Sequence, residues 1–256
     1  MGTFLSLGTL SGYVISEAHG VNVDGSIIVG QARDANYFTS SAFRWTEAGG
    51  MQSLGFTRPS HFYSDATAVS RDGSSIVGFS YDGTTTDAFI WNEVTGMTAL
   101  HGLNGRRAHA YGVNGTGTIV VGTADFVGSG SRGVLWQNGD LLDLGVNLSV
   151  GSFFATGVSD DGAVVVGQVG ATWAGIWTPT TGILMLGDYL AAHGVSGPVG
   201  WQFQNATAVS ADGRTIAGWG YSVATGTQGF VVTIPAPASL IAFVGVFASI
   251  RRTRRS

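Results

Sequence analysis

The sequence predicts an all-β fold of repeated four-stranded sheets, and three observations predict it. An Ala-x-x-Val phrase recurs five times, beginning at Ala18, Ala66, Ala110, Ala155 and Ala206, and each copy runs through a turn into a short apolar strand. Measured at Asp24, Asp72, Thr116, Asp161 and Asp212, the copies lie 48, 44, 45 and 51 residues apart, and periods of about 40–50 residues suggest propeller blades. Glycine makes up 41 of 256 residues and charged residues only 11%, against roughly 7% and 25% in average chains, which suits many turns and few solvated helices.

Each element of a blade can be justified in order. After the Ala-x-x-Val strand comes an Asp-Gly turn in four copies (Gly25, Gly73, Gly162, Gly213) and Thr116-Gly117 in the third, a pair suited to a tight hairpin because glycine tolerates positive φ. The apolar strand follows, then an aromatic strand at Phe43-Arg44-Trp45, Phe89-Ile90-Trp91, Val134-Leu135-Trp136 and Gly175-Ile176-Trp177, with a weaker version at Phe230-Val231-Val232. A glycine turn then leads into a closing strand ending at Leu54-Gly55, Leu100, Leu144-Gly145 and Leu186-Gly187. The fifth copy stops after its third strand, at Thr233, while the N-terminus opens on an orphan Phe4-Leu5-Ser6-Leu7-Gly8 that resembles the missing closing strand. Pairing the two would close a ring and remove an open sheet edge. The prediction is a β-propeller of five four-stranded blades closed by the N-terminal strand, spanning residues 1–234, plus a short apolar C-terminal tail, 235–256. A linear stack of sheets and a fragment of a larger propeller are the competing readings.

Charge narrows the partners. All 12 basic residues are arginine and four of them crowd the last six positions, so the chain before residue 235 carries 8 Arg against 16 acids, a formal charge of −8. Such a body is a poor nucleic-acid binder, because phosphate affinity comes from Lys and Arg. With no cysteine there are no disulfides or thiolate metal sites.

The tail is the most specific functional signal. Pro235, Ala236 and Pro237 lead into eleven almost wholly apolar residues, 240–250, and then into Arg251, Arg252, Arg254 and Arg255. Eleven residues reach about 17 Å as a helix, short of a hydrocarbon core of about 30 Å, so only a thin or transient span is expected; the arginines would stay cytoplasmic and leave the body outside. This layout resembles the PEP-CTERM sorting signal of Gram-negative and related bacteria, in a Pro-Ala-Pro variant with Ala236 where that family has Glu. The resemblance implies processing by an exosortase-type transpeptidase.

The repeats point the same way. The Val-Ser/Asn-x-Asp-Gly-x-x-Ile/Val-Val-Gly stretch, followed by Ala42-Phe43-Arg44-Trp45-Thr46 or Ala88-Phe89-Ile90-Trp91 and by Gly-Met-x-x-Leu-Gly, resembles the extracellular HAF-repeat family over residues 4–233. That resemblance implies a secreted or cell-surface bacterial protein and attaches no enzymatic activity to the repeat. Residues 1–15 lack a basic n-region, an apolar h-region and a cleavage site, so an export signal is expected upstream of Phe4. Met1-Gly2 with Ser6 fits a loose myristoylation pattern, read as a chance match.

Candidate binding residues lie in the loops that lead from each closing strand to the next blade, residues 10–16, 56–65, 102–109, 146–154 and 188–205. Arg58, His61, Tyr63, Arg106, Arg107, His109 and Trp201 stand out there because the repeat does not demand them. Immediately before each repeated alanine, Glu17, Asp65, His109, Phe154 and Asn205 occupy equivalent places, a potential ring of variable polar side chains. Catalytic motifs are missing: no His-Glu-x-x-His helix, nucleophile elbow, phosphate loop or EF-hand spacing occurs. The Asp-Gly turns supply too few oxygens for the six to eight ligands of Ca²⁺. No cofactor or metal is expected. Trp45, Trp91, Trp136 and Trp177 share a repeat position and read as blade packing, whereas Trp173, Trp201 and Trp219 do not.

Two functions of different class follow. The preferred one is a noncatalytic, monomeric surface or matrix protein, sorted through its tail, whose propeller binds extracellular polysaccharide or another surface protein. The alternative is a secreted polysaccharide hydrolase or lyase using Glu17 and Asp65 with His109, which requires the carboxyl groups to face each other at about 5–10 Å across a groove.

Overall fold

The computed structural model describes residues 4–127, 130–145 and 151–235. The repeats form successive antiparallel meanders. The first holds β1 (Ile15–Val21), β2 (Ile28–Arg33), β3 (Ser40–Thr46) and β4 (Gly50–Gly55); the second β5 (Tyr63–Val69), β6 (Ile76–Tyr81), β7 (Thr86–Asn92) and β8 (Gly96–Leu100). The third comprises β9 (Ala108–Val113), β10 (Ile119–Asp125), β11 (Ser131–Gln137) and β12 (Asp140–Asp143), and the fourth β13 (Phe153–Val158), β14 (Val165–Val169), β15 (Trp173–Thr178) and β16 (Gly182–Met185). A short helix that the repeat pattern does not predict, α1 (Leu186–Ala192), precedes a three-stranded last sheet of β17 (Trp201–Val209), β18 (Thr215–Ser222) and β19 (Gly226–Thr233). One parallel bridge, Ser40 to Tyr63, links the first two meanders.

The repeated phrase encodes a β-bulge. In every repeat the pairing of first and second strands slips just after the alanine, at His19, Thr67, Tyr111, Thr156 and Thr207. A bulge leaves one residue out of the ladder and re-aims it. The glycine that ends each Val-Gly run makes this possible: a Cβ on Gly30, Gly78, Gly122 or Gly167 would lie 1.9 Å from the carbonyl oxygen of Glu17, Asp65, His109 or Phe154. In the second and fourth repeats the bulged threonine ties adjacent sheets, since Thr67 and Thr156 each donate to the next repeat's alanine carbonyl (Ala110, Ala206) at 2.9 Å.

The Asp-Gly turns are longer than the tight hairpins the sequence suggested. The ladder closes at Asn22–Ile27, Ser70–Ser75, Asn114–Ile119, Ser159–Val164 and Ser210–Thr215, which leaves four residues in each turn. Only the glycine has positive φ, 72° to 75°, while the aspartate accepts the backbone N–H two residues on, as Asp72 does from Ser74 at 3.0 Å. The Asn or Ser before the turn is a second acceptor, as Asn22 is for the Ile27 N–H at 2.9 Å.

Sheets stack through one recurring contact. A leucine on or just past the closing strand joins the following sheet: Leu54 clusters with Phe89 and Trp91, Leu144 with Phe153 and Trp177, and Leu186, which opens α1, with Phe230 and Val232. Burying such side chains is the main stabilising force between meanders.

The ends depart from the expected closed ring. Residues 4–10 form no strand, and β17, β18 and β19 form a sheet of their own with no ladder to the N-terminal segment. Instead Leu7 and Leu10 pack with Phe43, Trp45 and Met51 of the first sheet. The physical reason is local: this apolar face would otherwise meet water, and the chain just before β1 is the nearest cover. Among the described residues no helix is long and apolar enough to cross a membrane. Ala236, Pro237, Arg251, Arg252, Arg254 and Arg255 lie outside the described residues, and Pro235 is the last one inside them.

Candidate functional site

Antiparallel meanders place the loops before β5, β9, β13 and β17 at the same end as the β2–β3 and β6–β7 loops, opposite the Asp-Gly turns. At this end the first strands of the first three sheets bring several candidate residues together. Glu17 lies on β1 beside its cross-strand neighbour Gln31, whose amide donates to Glu17 Oε2 at 3.1 Å, and the Arg33 guanidinium pairs with Glu17 Oε1. Gln31 Oε1 in turn accepts from the hydroxyls of Tyr63 at 2.7 Å and Ser40 at 3.0 Å.

His19 sits on the bulge, and there it replaces the threonine of other repeats. Its Nδ1 lies 2.9 Å from Asp65 Oδ1 on the next sheet and its Nε2 lies 4.0 Å from Glu17. The hydrogen bond to Asp65, helped by both carboxylates and opposed by partial burial, raises the His19 pKa above its ordinary value. Sequence reasoning missed His19. The available signal was its occupancy of the slot held by Thr67, Thr156 and Thr207.

His109 is tuned the other way, its pKa lowered mainly by burial. Its ring lies 4.8 Å from that of Phe79 and stacks on Tyr111 at 6.0 Å, and Phe79, the cross-strand partner of Asp65, stacks on Tyr63 at 6.1 Å. Tyr63, Phe79, His109 and Tyr111 thus form a half-buried ring row, continuous with the Glu17–His19–Asp65 network.

Arg58, Arg106 and Arg107 converge on a neighbouring cleft of about 430 Å³ between the second and third sheets. Arg58 binds Asp87 through Nε and Nη2 at 2.6 and 2.8 Å. Burial alone would raise the Asp87 pKa, but its bonds from Arg58 and Thr57 hold it below the usual carboxylate range.

Other candidates fall elsewhere. His61 is buried and bonded to Thr57, Ser80 and Thr85, so it braces the loop before β5. Asn205 stands at the corresponding place on β17, at the far end of the array, where its Oδ1 is buried without a partner. Trp201 packs edge-on against Phe203 and lines a separate cleft with Pro198 and Phe230. Trp173 and Trp219 are each partly exposed. The hydrolase arrangement is not free to act: Glu17 is held by Arg33 and Gln31, and Asp65 by His19. Among the described residues no three His, Asp or Glu side chains converge as a cation cage.

No protein-family model matches the chain, and no curated protein sequence matches it. Solved structures do. A provisional TolB from Agrobacterium tumefaciens aligns over 86% of this chain and 77% of its own at TM-score 0.56 and 9% identity. TolB from Acinetobacter baumannii aligns over 80% and 48% at 0.50 and 13%, and a chain of a nidogen–laminin complex over 87% and 76% at 0.50 and 12%. These likenesses show that the stacked meanders have a β-propeller-like fold.

Proposed function

We propose that this chain is a noncatalytic propeller of the bacterial surface or extracellular matrix whose loop end binds polysaccharide. The observation that carries this reading is the Tyr63–Phe79–His109–Tyr111 row lying against the Glu17–His19–Asp65 network. Sugars are held by aromatic faces beside fixed donors and acceptors, and both are grouped here. The acidic body disfavours nucleic acid. Sorting would proceed through the 235–256 tail by an exosortase-type enzyme, with transient membrane contact.

The same reading takes the propeller as five-bladed and closed within one chain. What supports it is that Leu7 clusters with Phe43 and Trp45 as Leu54 clusters with Phe89 and Trp91, although no ladder joins residues 4–8 to β19 among the described residues.

The test is titration of the full chain with a panel of neutral and acidic matrix polysaccharides, alongside Phe79→Ala. Saturable binding that weakens at least about tenfold in the variant supports the reading, since stacking contributes roughly 1–3 kcal/mol per ring. Binding of no polysaccharide, or binding indifferent to Phe79, overturns it.

A further inference from the structure

The cleft between the second and third sheets gathers three arginines on an acidic body. Arg58, Arg106, Arg107, Asp87 and Asp125 line it, one net positive charge where the chain before residue 235 carries −8. The three arginines are not equivalent. Arg58 is consumed by Asp87 in a two-bond pair, whereas Arg107 gives only its Nε, to the Thr84 carbonyl at 3.0 Å. That bond anchors its base, and among the described residues the two terminal nitrogens of the fork have no partner. Arg106 is exposed, and its guanidinium makes no hydrogen bond or ion pair among the described residues.

The backbone explains why the two arginines project here. Gly105 has φ of 70°, so the chain turns sharply just before them. The carbonyl of Arg107 accepts from the Asp125 N–H at 2.9 Å, which ties the pair to β10. Asp125 accepts from Ser131 through Oδ1 at 2.9 Å, and among the described residues Oδ2 has no partner. An anion can therefore meet guanidinium forks on one side while neighbouring hydroxyls meet a carboxylate on the other.

We propose that this cleft holds an acidic sugar residue, a uronate or sulfated unit of the polysaccharide bound at the loop end; this rests on the reading of the loop end as polysaccharide-binding. Planar guanidinium forks match carboxylate and sulfate oxygens two by two, and a volume of about 430 Å³ is of ligand-pocket size. The anion goes to Arg106 and Arg107, because Arg58 is already neutralised.

The experiment titrates the full chain, and Arg106→Gln with Arg107→Gln, against oligogalacturonate, dextran sulfate, neutral dextran and oligothymidylate. The expected result is binding of one or both acidic sugars that falls roughly a hundredfold in the double variant, about tenfold for each guanidinium removed. Preference for oligogalacturonate identifies a carboxylate, and preference for dextran sulfate a sulfate. Acidic sugars bound equally by wild type and variant overturn the inference, as does oligothymidylate binding as tightly through the same arginines. Neutral dextran binding while both acidic polymers fail overturns the cleft alone and leaves the loop-end reading standing. Failure of every glycan removes both.

Discussion

The Ser16 hydroxyl donates to the Gly8 carbonyl across 2.7 Å, the bond that Ser64 makes to Gly55 one repeat later at 2.8 Å. Residues 8–16 therefore approach the first sheet as residues 55–64 approach the second. The N-terminal segment behaves as the end of a blade even though no strand pairs with it.

Removing its apolar anchors should cost stability. Leu10 is buried and Leu7 partly so against the fully buried Phe43, and burial of this kind contributes about 2–5 kcal/mol per leucine when complete. Leu7→Ala combined with Leu10→Ala is expected to lower the melting temperature by roughly 5–10 °C, read by calorimetry. Unchanged melting would show that the segment covers nothing of consequence.

The proposed closure has a register. Arg44 pairs with Gln52 in the first sheet; aligning Phe230-Val231-Val232-Thr233 with Phe43-Arg44-Trp45-Thr46, and Phe4-Leu5-Ser6-Leu7-Gly8 with 51–55, sets Leu5 opposite Val231. Both are exposed, and the chain has no cysteine of its own. Leu5→Cys with Val231→Cys should form an intramolecular disulfide under mild oxidation, detected by mass and mobility. Disulfide-linked dimers alone would mean the strand passes to another copy, and free thiols would mean an open array.

The bulge glycines should be intolerant. Gly78→Ala drives a Cβ into the Asp65 carbonyl and is expected to destabilise by about 3 kcal/mol or more in urea denaturation. Gly50→Ala meets no neighbour but sits at φ 63°, so about 1 kcal/mol is expected. Equal losses at the two sites would refute the bulge as the element that Val-Gly encodes.

His19 gives a pH signature. Its pKa is raised in the folded state, so the stability it contributes is full below about pH 6.5, its unfolded value, and fades as pH climbs through the raised value. His109 acts oppositely, since its lowered pKa removes stability as pH falls below about 6.5. The melting difference between wild type and His19→Gln should therefore be largest near pH 5.5 and shrink toward pH 8.5. A difference that grows with pH would contradict the His19–Asp65 pairing.

Replacing Arg251, Arg252, Arg254 and Arg255 with glutamine should disturb surface sorting in a host that has the machinery. Fractionation showing normal surface delivery of this variant would argue against the tail as a signal.

Much of this architecture was legible because each repeat states its own local rules. Spacing, turn glycines and aromatic strands gave the order of the meanders, while the role of the closing leucines in joining them came only with the packing. The bulge was not legible, because Ala-x-x-Val reads as plain strand until the opposing glycine is seen against the Glu17 or Asp65 carbonyl. Nor was α1, whose seven residues replace a loop with too little periodicity to notice. At the site, the position before each alanine led to Glu17, Asp65 and His109, which side chains do link, while Asn205 was grouped by alignment alone. His61 looked free because its partners Thr57, Ser80 and Thr85 come from three different segments.

The most direct test of the loop end as a ligand site is hydrogen exchange of the full chain with and without the polysaccharide that binds best. The account predicts slowed exchange confined to residues 15–20, 58–66, 79–87 and 105–111. Protection centred on the Asp-Gly turns, or on the Trp201 cleft, would contradict it.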